Sequence, residues 1–99
     1  MTQTEKNIEV LVNFFKENEI DFKENTKVGR VRMDMYVPEM RIAIHYGDSQ
    51  KFFLKTRTYY APFFVRETES CEKTLEKIQN CVITQMTRLH NKLLRDKER

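Results

Sequence analysis

Hydrophobic and polar residues alternate along the stretch from residue 30 to residue 37. Four apolar side chains fall on one face of an extended chain and four polar ones on the other: Val31, Met33, Met35 and Val37 against Arg30, Arg32, Asp34 and Tyr36. This period of two is typical of a strand with one buried face. Pro38 then interrupts the pattern, because proline has no N–H to donate to a ladder.

A second strand is predicted directly after this interruption. From Arg41 to Tyr46 the alternation resumes, with Ile42, Ile44 and Tyr46 on one face and Arg41, Ala43 and His45 on the other. Two such runs separated by a short turn predict neighbouring strands. Asp34 on the first strand is therefore expected to lie near His45 on the second.

Helical periodicity marks both ends of the chain. Thr2 and Glu5 fit a capping box, and the apolar residues that follow are spaced for a helix that ends near Asn18. Near the other end, Thr68 or Ser70 is placed to cap a helix from Cys71 to about Lys97. Its apolar stripe is Leu75, Ile78, Val82, Met86, Leu89 and Leu93.

The remaining segments give weaker signals. Residues 20–27 are a strand candidate with few apolar anchors. Asp48 or Ser49 can cap a short helix through about Arg57, although an aromatic-rich strand over residues 51–56 fits as well. Residues 59–66 read as a strand, with Pro62 at its start or on an edge.

These elements predict one domain of class α+β (or α/β). We expect a central sheet of three to four strands flanked by an N-terminal helix and a long C-terminal helix. The core would span residues 4–86 and a basic helical tail residues 87–99. Such a helix is about 40 Å long at 1.5 Å per residue, which is longer than a domain of this size covers. Leu89, Leu93 and Leu94 therefore suggest a self-association surface and a homodimer.

Composition constrains where in the cell the protein is expected to act. Charged residues make up 33% of the chain, and no apolar run approaches the ~18 residues that a membrane span needs. The first residues lack a signal-peptide pattern, so a soluble cytoplasmic protein without membrane partners is the expectation. Cys71 and Cys81 lie about 15 Å apart if they share one helix, which is too far for a disulfide.

Charge is distributed unevenly although the net charge is only +3. Basic residues gather without intervening acids at residues 27–32 and again at residues 51–66. Segregation of this kind can form a surface that faces a polyanion such as DNA. The candidate nucleic-acid-binding residues are Lys27, Arg30, Arg32, Lys51, Lys55 and Arg57. The alternative is that they are ordinary solvated charges on strand and helix faces.

A family resemblance covers roughly residues 5–67. A strand bearing Asp34, the turn Pro38-Glu39 and the apolar run 42–44 before Gly47 resemble the core of the PD-(D/E)XK nucleases. The closest likeness is to the small endonuclease domains related to very-short-patch repair enzymes. The resemblance implies a minimal restriction-endonuclease-like fold, with Asp34 in the place of the first metal-binding acid. The family's second acid falls on His45, and its following Lys or Asp falls on Gly47.

Asp34 has two interpretations. An acid on an internal strand can be a ligand for Mg²⁺ or Mn²⁺, since Mg²⁺ is usually held by one or two carboxylates plus water. It can equally form a salt bridge, with Arg30, Arg32 or Arg41 as partners.

His45 and Lys51 are the other candidate catalytic residues. His45 would be a general base or ligand in a remodelled site, a hydrogen-bonded structural histidine, or the remnant of a lost site. Lys51 has the reach to replace the missing lysine, or it is an ordinary exposed lysine. A third acid would come from Glu9, Glu17, Glu19 or Glu24, and nothing in the sequence selects among them.

Three functions follow. The leading expectation is a nuclease-fold protein with a degenerate metal site that acts by nucleic-acid binding or self-association. The second is an active metal-dependent DNA endonuclease that uses Asp34, His45 and Lys51 with Mg²⁺ or Mn²⁺. The third is a protein–protein interaction module built on the C-terminal helix.

Overall fold

The computed structural model describes residues 1–97, with side-chain surroundings given through Leu93. The fold is α+β, as expected from the sequence: a helix, a four-stranded mixed sheet and a long C-terminal helix. The elements are α1 (Gln3–Glu17), β1 (Lys23–Val28), β2 (Val31–Val37), β3 (Ile42–Tyr46), α2 (Gln50–Thr56), β4 (Ala61–Val65) and α3 (Cys71–Lys97).

The strands lie in chain order across the sheet, β1-β2-β3-β4. β1 and β3 both pair antiparallel with β2, and β4 pairs parallel with β3. A parallel pair needs a crossover connection, and α2 supplies it. The two strands predicted from alternation are thus the inner neighbours of the sheet.

The link between β2 and β3 explains why β3 begins later than predicted. Residues Pro38–Met40 form a single 3₁₀ turn, and Arg41 has left-handed backbone angles with φ of 53°. These angles depart from the extended backbone of a strand, and β3 begins at Ile42 rather than at Arg41. β1 also begins later than predicted, and Ile20 and Phe22 pack against the core from outside the strand.

The main core lies between the sheet and the two long helices. Leu11 and Phe15 of α1 and Ile78 and Val82 of α3 pack on one face of the sheet. The sheet side chains that they cover are Met35, Val37, Ile42, Ile44, Phe63 and Val65. Burial alternates along β2 as the sequence pattern predicts.

A smaller cluster lies around α2. Phe52 of this helix packs against Ala43, with Phe64 beside it. Ala43 alternates with Ile42 and Ile44 of the main core, so α2 covers the opposite face of the sheet. Met33 is fully buried but belongs to this second cluster rather than to that of Met35 and Val37.

Helix capping follows the sequence closely. The capping box of Thr2 and Glu5 is formed at the start of α1. Ser49 accepts a hydrogen bond from the Phe52 N–H at 3.1 Å, and Ser70 accepts one from the Lys73 N–H at 3.1 Å. Residues 50–56 are therefore helix, and the strand alternative for this segment is wrong.

α3 is the longest element, and it extends beyond the domain body. Ile78 is fully buried and Val82 nearly so, whereas Met86 is 56% exposed and Leu93 61%. Cys71 and Cys81 are both free and half-buried on this helix. Within residues 1–97 no helix combines the length and the apolar composition that a bilayer crossing requires.

Candidate functional site

Asp34 and His45 meet on the sheet face that α2 covers. The β2–β3 ladder pairs Met35 with Ile44, and the same register continued by one step sets Asp34 opposite His45. Asp34 Oδ2 lies 3.4 Å from His45 Nδ1, and the two side chains are 31% and 30% exposed. The proximity expected from the sequence is therefore observed, in a position that solvent reaches.

Asp34 is held by the backbone of the neighbouring strand. Its Oδ2 also accepts a hydrogen bond from the Tyr46 N–H at 2.8 Å. Among the described residues, the basic side chain within ion-pair distance of Asp34 is that of His45. The salt bridge to an arginine is thus not observed, and the Arg32 guanidinium instead donates to Asn25 Oδ1 at 2.9 Å.

The imidazole of His45 is fixed by aromatic rings. It stacks on Phe52 with ring centroids 4.9 Å apart and meets the edge of Phe64 at 6.2 Å. Asp34 lies on the Nδ1 side of the ring.

Four basic side chains line one cavity together with His45. A cavity of about 220 Å³, which we call the basic pocket, is lined by Arg30, Val31, Arg32, His45, Ser49, Lys51, Phe52 and Lys55. Its two arginines come from the β1–β2 turn and the start of β2. Its two lysines are four residues apart on α2, so they share one face of that helix.

The basic pocket unites most of the predicted site residues. The candidate catalytic residues His45 and Lys51 both line it. The candidate nucleic-acid-binding residues Arg30, Arg32 and Lys55 line it as well. The other two members of that set are placed differently. Lys27 pairs with Arg32 across the β1–β2 ladder, and Arg57 is the C-terminal cap of α2; neither lines the pocket.

The donor set at Asp34 does not fit a firmly held Mg²⁺. This ion prefers an octahedral shell of oxygen atoms, and Asp34 contributes one carboxylate beside an imidazole. In the part of the chain that the structure describes, no group of three or more His, Cys, Asp or Glu side chains converges as a metal site would need. The contacts of Asp34 in the described part of the chain therefore do not complete a metal shell.

Tyr46 was not among the residues selected from the sequence. Its backbone N–H positions Asp34, which no side-chain pattern reports. Burial first, and then the negative charges of Asp34 and Glu24, raise the pKa of the Tyr46 phenol to about 12. This phenol stays protonated near neutral pH, so it is a hydrogen-bond donor there rather than a base.

A second polar network lies at the free edge of the sheet and was also missed. Lys77 Nζ donates to Glu69 Oε1 at 2.7 Å and to the Phe64 carbonyl at 3.2 Å. Pro62 has no N–H to donate at the exposed edge of β4, and Lys77 occupies the Phe64 carbonyl there. Both features disfavour pairing of this edge with another strand. The network therefore has a structural explanation.

Comparison with protein families, with curated proteins and with solved structures finds no match to this chain.

Proposed function

We propose that this chain is a nuclease-fold protein of the PD-(D/E)XK type that binds the phosphate backbone of nucleic acid without cleaving it. The observation that carries the proposal is the basic pocket, which four cationic side chains from two distant segments line together with His45. Phosphate contacts supply most of the non-specific affinity of such proteins, and lysine and arginine are the residues that make them.

The order of the elements supports the family part of the proposal. A helix, three antiparallel strands, a crossover helix and a parallel fourth strand follow one another along the chain. This arrangement is compatible with the minimal restriction-endonuclease-like fold that the resemblance implies. Asp34 lies at the solvent-accessible end of the inner strand pair. The pairing of one carboxylate, Asp34, with one imidazole, His45, supports the proposal that the metal site is altered.

Binding should depend on salt in a way that the pocket predicts. If all four cations contact phosphates, the logarithm of the binding constant should fall with the logarithm of salt concentration with a slope of about −2.8 for single strands and about −3.6 for duplex. Fluorescence anisotropy with labelled single-stranded and duplex DNA, titrated at several NaCl concentrations, measures both the affinity and this slope.

Substitutions on α2 test the pocket itself. Lys51→Ala and Lys55→Ala should each weaken binding and reduce the slope by about 0.7–0.9, because each removes one phosphate contact. Lys16→Ala, on α1 at the opposite face of the sheet, is the matched control and should change neither. A folded protein that does not bind at low salt, or lysine variants that behave like the control, would refute the proposal.

A metal-dependent endonuclease is the second candidate function, favoured by the contact of Asp34 with His45 and by the position of Lys51 in the same pocket. Asp34→Asn separates the two functions. Cleavage of plasmid DNA with Mg²⁺ or Mn²⁺ should disappear in this variant if the endonuclease is real. Under the binding proposal, wild type shows no cleavage, and Asp34→Asn binds DNA at least as tightly, since a negative charge beside the pocket is removed.

We also propose self-association through α3, since Met86 and Leu93 are exposed on its second half. Large apolar side chains that continue a buried stripe into solvent are typical of interfaces.

Location in the cytoplasm remains a prediction from the sequence.

A further inference from the structure

The apolar stripe of α3 continues after the domain body has ended. Val82 is 6% exposed where it packs in the core, and Met86, Leu89 and Leu93 follow it at spacings of four, three and four residues. This spacing is that of a helix–helix seam. We call residues 86–93 the α3 arm. α1 has 15 residues and α3 has 27, so the neighbouring helix cannot cover the arm.

An apolar cavity with acidic residues lies at the foot of the arm. It measures about 300 Å³ and is lined by Phe14, Asn18, Glu19, Ile20, Glu39, Met40, Val82 and Met86. We call it the acidic pocket, because its charged lining residues are Glu19 and Glu39. Its apolar lining comes from the end of α1, the 3₁₀ turn and α3.

The arm and the acidic pocket are complementary in charge. Residues 86–93 include Arg88 and Lys92 and no acidic residue. Among the described residues, the lining of the acidic pocket contains two glutamates and no basic residue. An apolar helix with flanking cations therefore fits an apolar cavity with flanking carboxylates, and both surfaces belong to the same chain.

We propose that two copies of this chain pair through their α3 arms in antiparallel orientation, with Leu93 of each copy entering the acidic pocket of the other. In this register Val82 faces Leu93 of the second copy and Met86 faces Leu89. Exchanging the copies reproduces the same contacts, so the interface closes under a two-fold axis. The proposal rests on the self-association proposed above and adds its geometry.

The oligomeric state of the full chain is the first test. The interface is small for a specific dimer, so association should depend on concentration. Sedimentation velocity from about 5 to about 500 µM should show a monomer that converts to a dimer. A monomer at every concentration would overturn both self-association and the geometry proposed for it.

Two substitutions address the acidic pocket. Leu93→Asp should weaken the dimer at least about tenfold, because it removes the apolar anchor and brings a negative charge to the glutamates. Leu54→Asp is the matched control: Leu54 is 51% exposed on α2, and its replacement should leave the dimer unchanged. Circular dichroism of both variants verifies that the helices persist. A dimer that withstands Leu93→Asp would overturn the geometry and leave self-association standing.

A charge exchange tests the complementarity without removing apolar surface. Lys92→Glu should weaken the dimer, and combining it with Glu39→Lys should restore much of the loss. If the double variant is weaker than Lys92→Glu alone, the proposed contact between the arm and the acidic pocket is wrong.

Orientation is measurable with a spin label at residue 73. After Cys71→Ala and Cys81→Ala, a single Lys73→Cys label lies near the start of α3. Antiparallel arms in this register separate the two labels by about 44 Å along the helix axes, at 1.5 Å per residue. Parallel arms would bring them within roughly 25 Å, since packed helices lie about 8–10 Å apart. The short distance would overturn the antiparallel arrangement.

Discussion

Asn7 connects α1 to the loop that precedes α3, and its removal should lower the stability of the whole domain. The side chain is fully buried. Its Nδ2 donates to the carbonyls of Arg66 and Glu69, both at 2.9 Å, and its Oδ1 accepts from Gln3 Nε2 at 2.9 Å. One amide therefore holds together two segments that lie about sixty positions apart in the chain.

The expected loss in Asn7→Ala follows from these contacts. Each of the two loop carbonyls loses a donor, at a net value of about 1 kcal/mol per hydrogen bond. The third bond should contribute less, because Gln3 can turn its amide to water. With the void left by the side chain, we expect the free energy of unfolding to fall by about 2–3 kcal/mol. For a domain of this size that corresponds to a decrease in Tm of roughly 10–20 °C.

Urea denaturation followed by circular dichroism measures this change. Asn7→Asp is a second variant with nearly unchanged shape, in which an oxygen replaces the nitrogen that faces both carbonyls. At neutral pH it should be at least as destabilising as Asn7→Ala, which separates hydrogen bonding from packing. Asn91→Ala, at an exposed position of α3, is the matched control and should be within about 0.5 kcal/mol of wild type.

The reasoning fails if Asn7→Ala unfolds within about 0.5 kcal/mol of wild type with an unchanged denaturant slope. It also fails if Asn7→Asp is clearly more stable than Asn7→Ala, because the orientation of the amide would then be irrelevant.

Three further outcomes are expected. Burial raises the pKa of Glu69, but the hydrogen bonds and charges of Lys77 and Arg66 outweigh burial, so the folded-state pKa is lowered from 4.5. The stability that this ionised carboxylate contributes is present above pH 4.5 and is lost as pH falls through the folded-state pKa. Between about pH 6 and pH 3, the urea midpoint should therefore fall less in Glu69→Gln than in wild type. Burial raises the pKa of Cys81 to about 11, so the thiol is a thiolate in only about one molecule in a thousand at pH 8. Alkylation of Cys81, followed by mass spectrometry, should therefore be far slower in the native protein than in urea. Gly47 has φ of +90° and open space where the Cβ of an alanine would lie, so Gly47→Ala should cost about 1–2 kcal/mol in thermal or urea unfolding through backbone strain alone.

Local sequence patterns predicted most of the secondary structure because they report the geometry of single segments. Alternation identified β2 and β3, since side chains of a strand point to opposite faces in turn. The capping box and Ser49 marked helix starts, because a cap satisfies N–H groups only a few residues away. The strand ends were less well predicted: the left-handed Arg41 has no signal in the alternation that surrounds it.

The pairing of Asp34 with His45 was predictable because a short turn leaves adjacent strands little freedom in register. The basic pocket was not predictable from the sequence, although its four cationic side chains were all candidate binding residues. Phe52 packs α2 onto the sheet beside His45, and this contact decides that Lys51 and Lys55 face the β1–β2 turn.

By itself, the sequence determined where most of the strands and helices lie and which of their faces is apolar, because these properties depend on neighbours along the chain. The tertiary structure alone decided that Asn7 would bind the loop before α3 and that Lys77 would cover the edge of β4. The physical reason is that such contacts join segments many residues apart, and only the packing of the core fixes the distance between those segments.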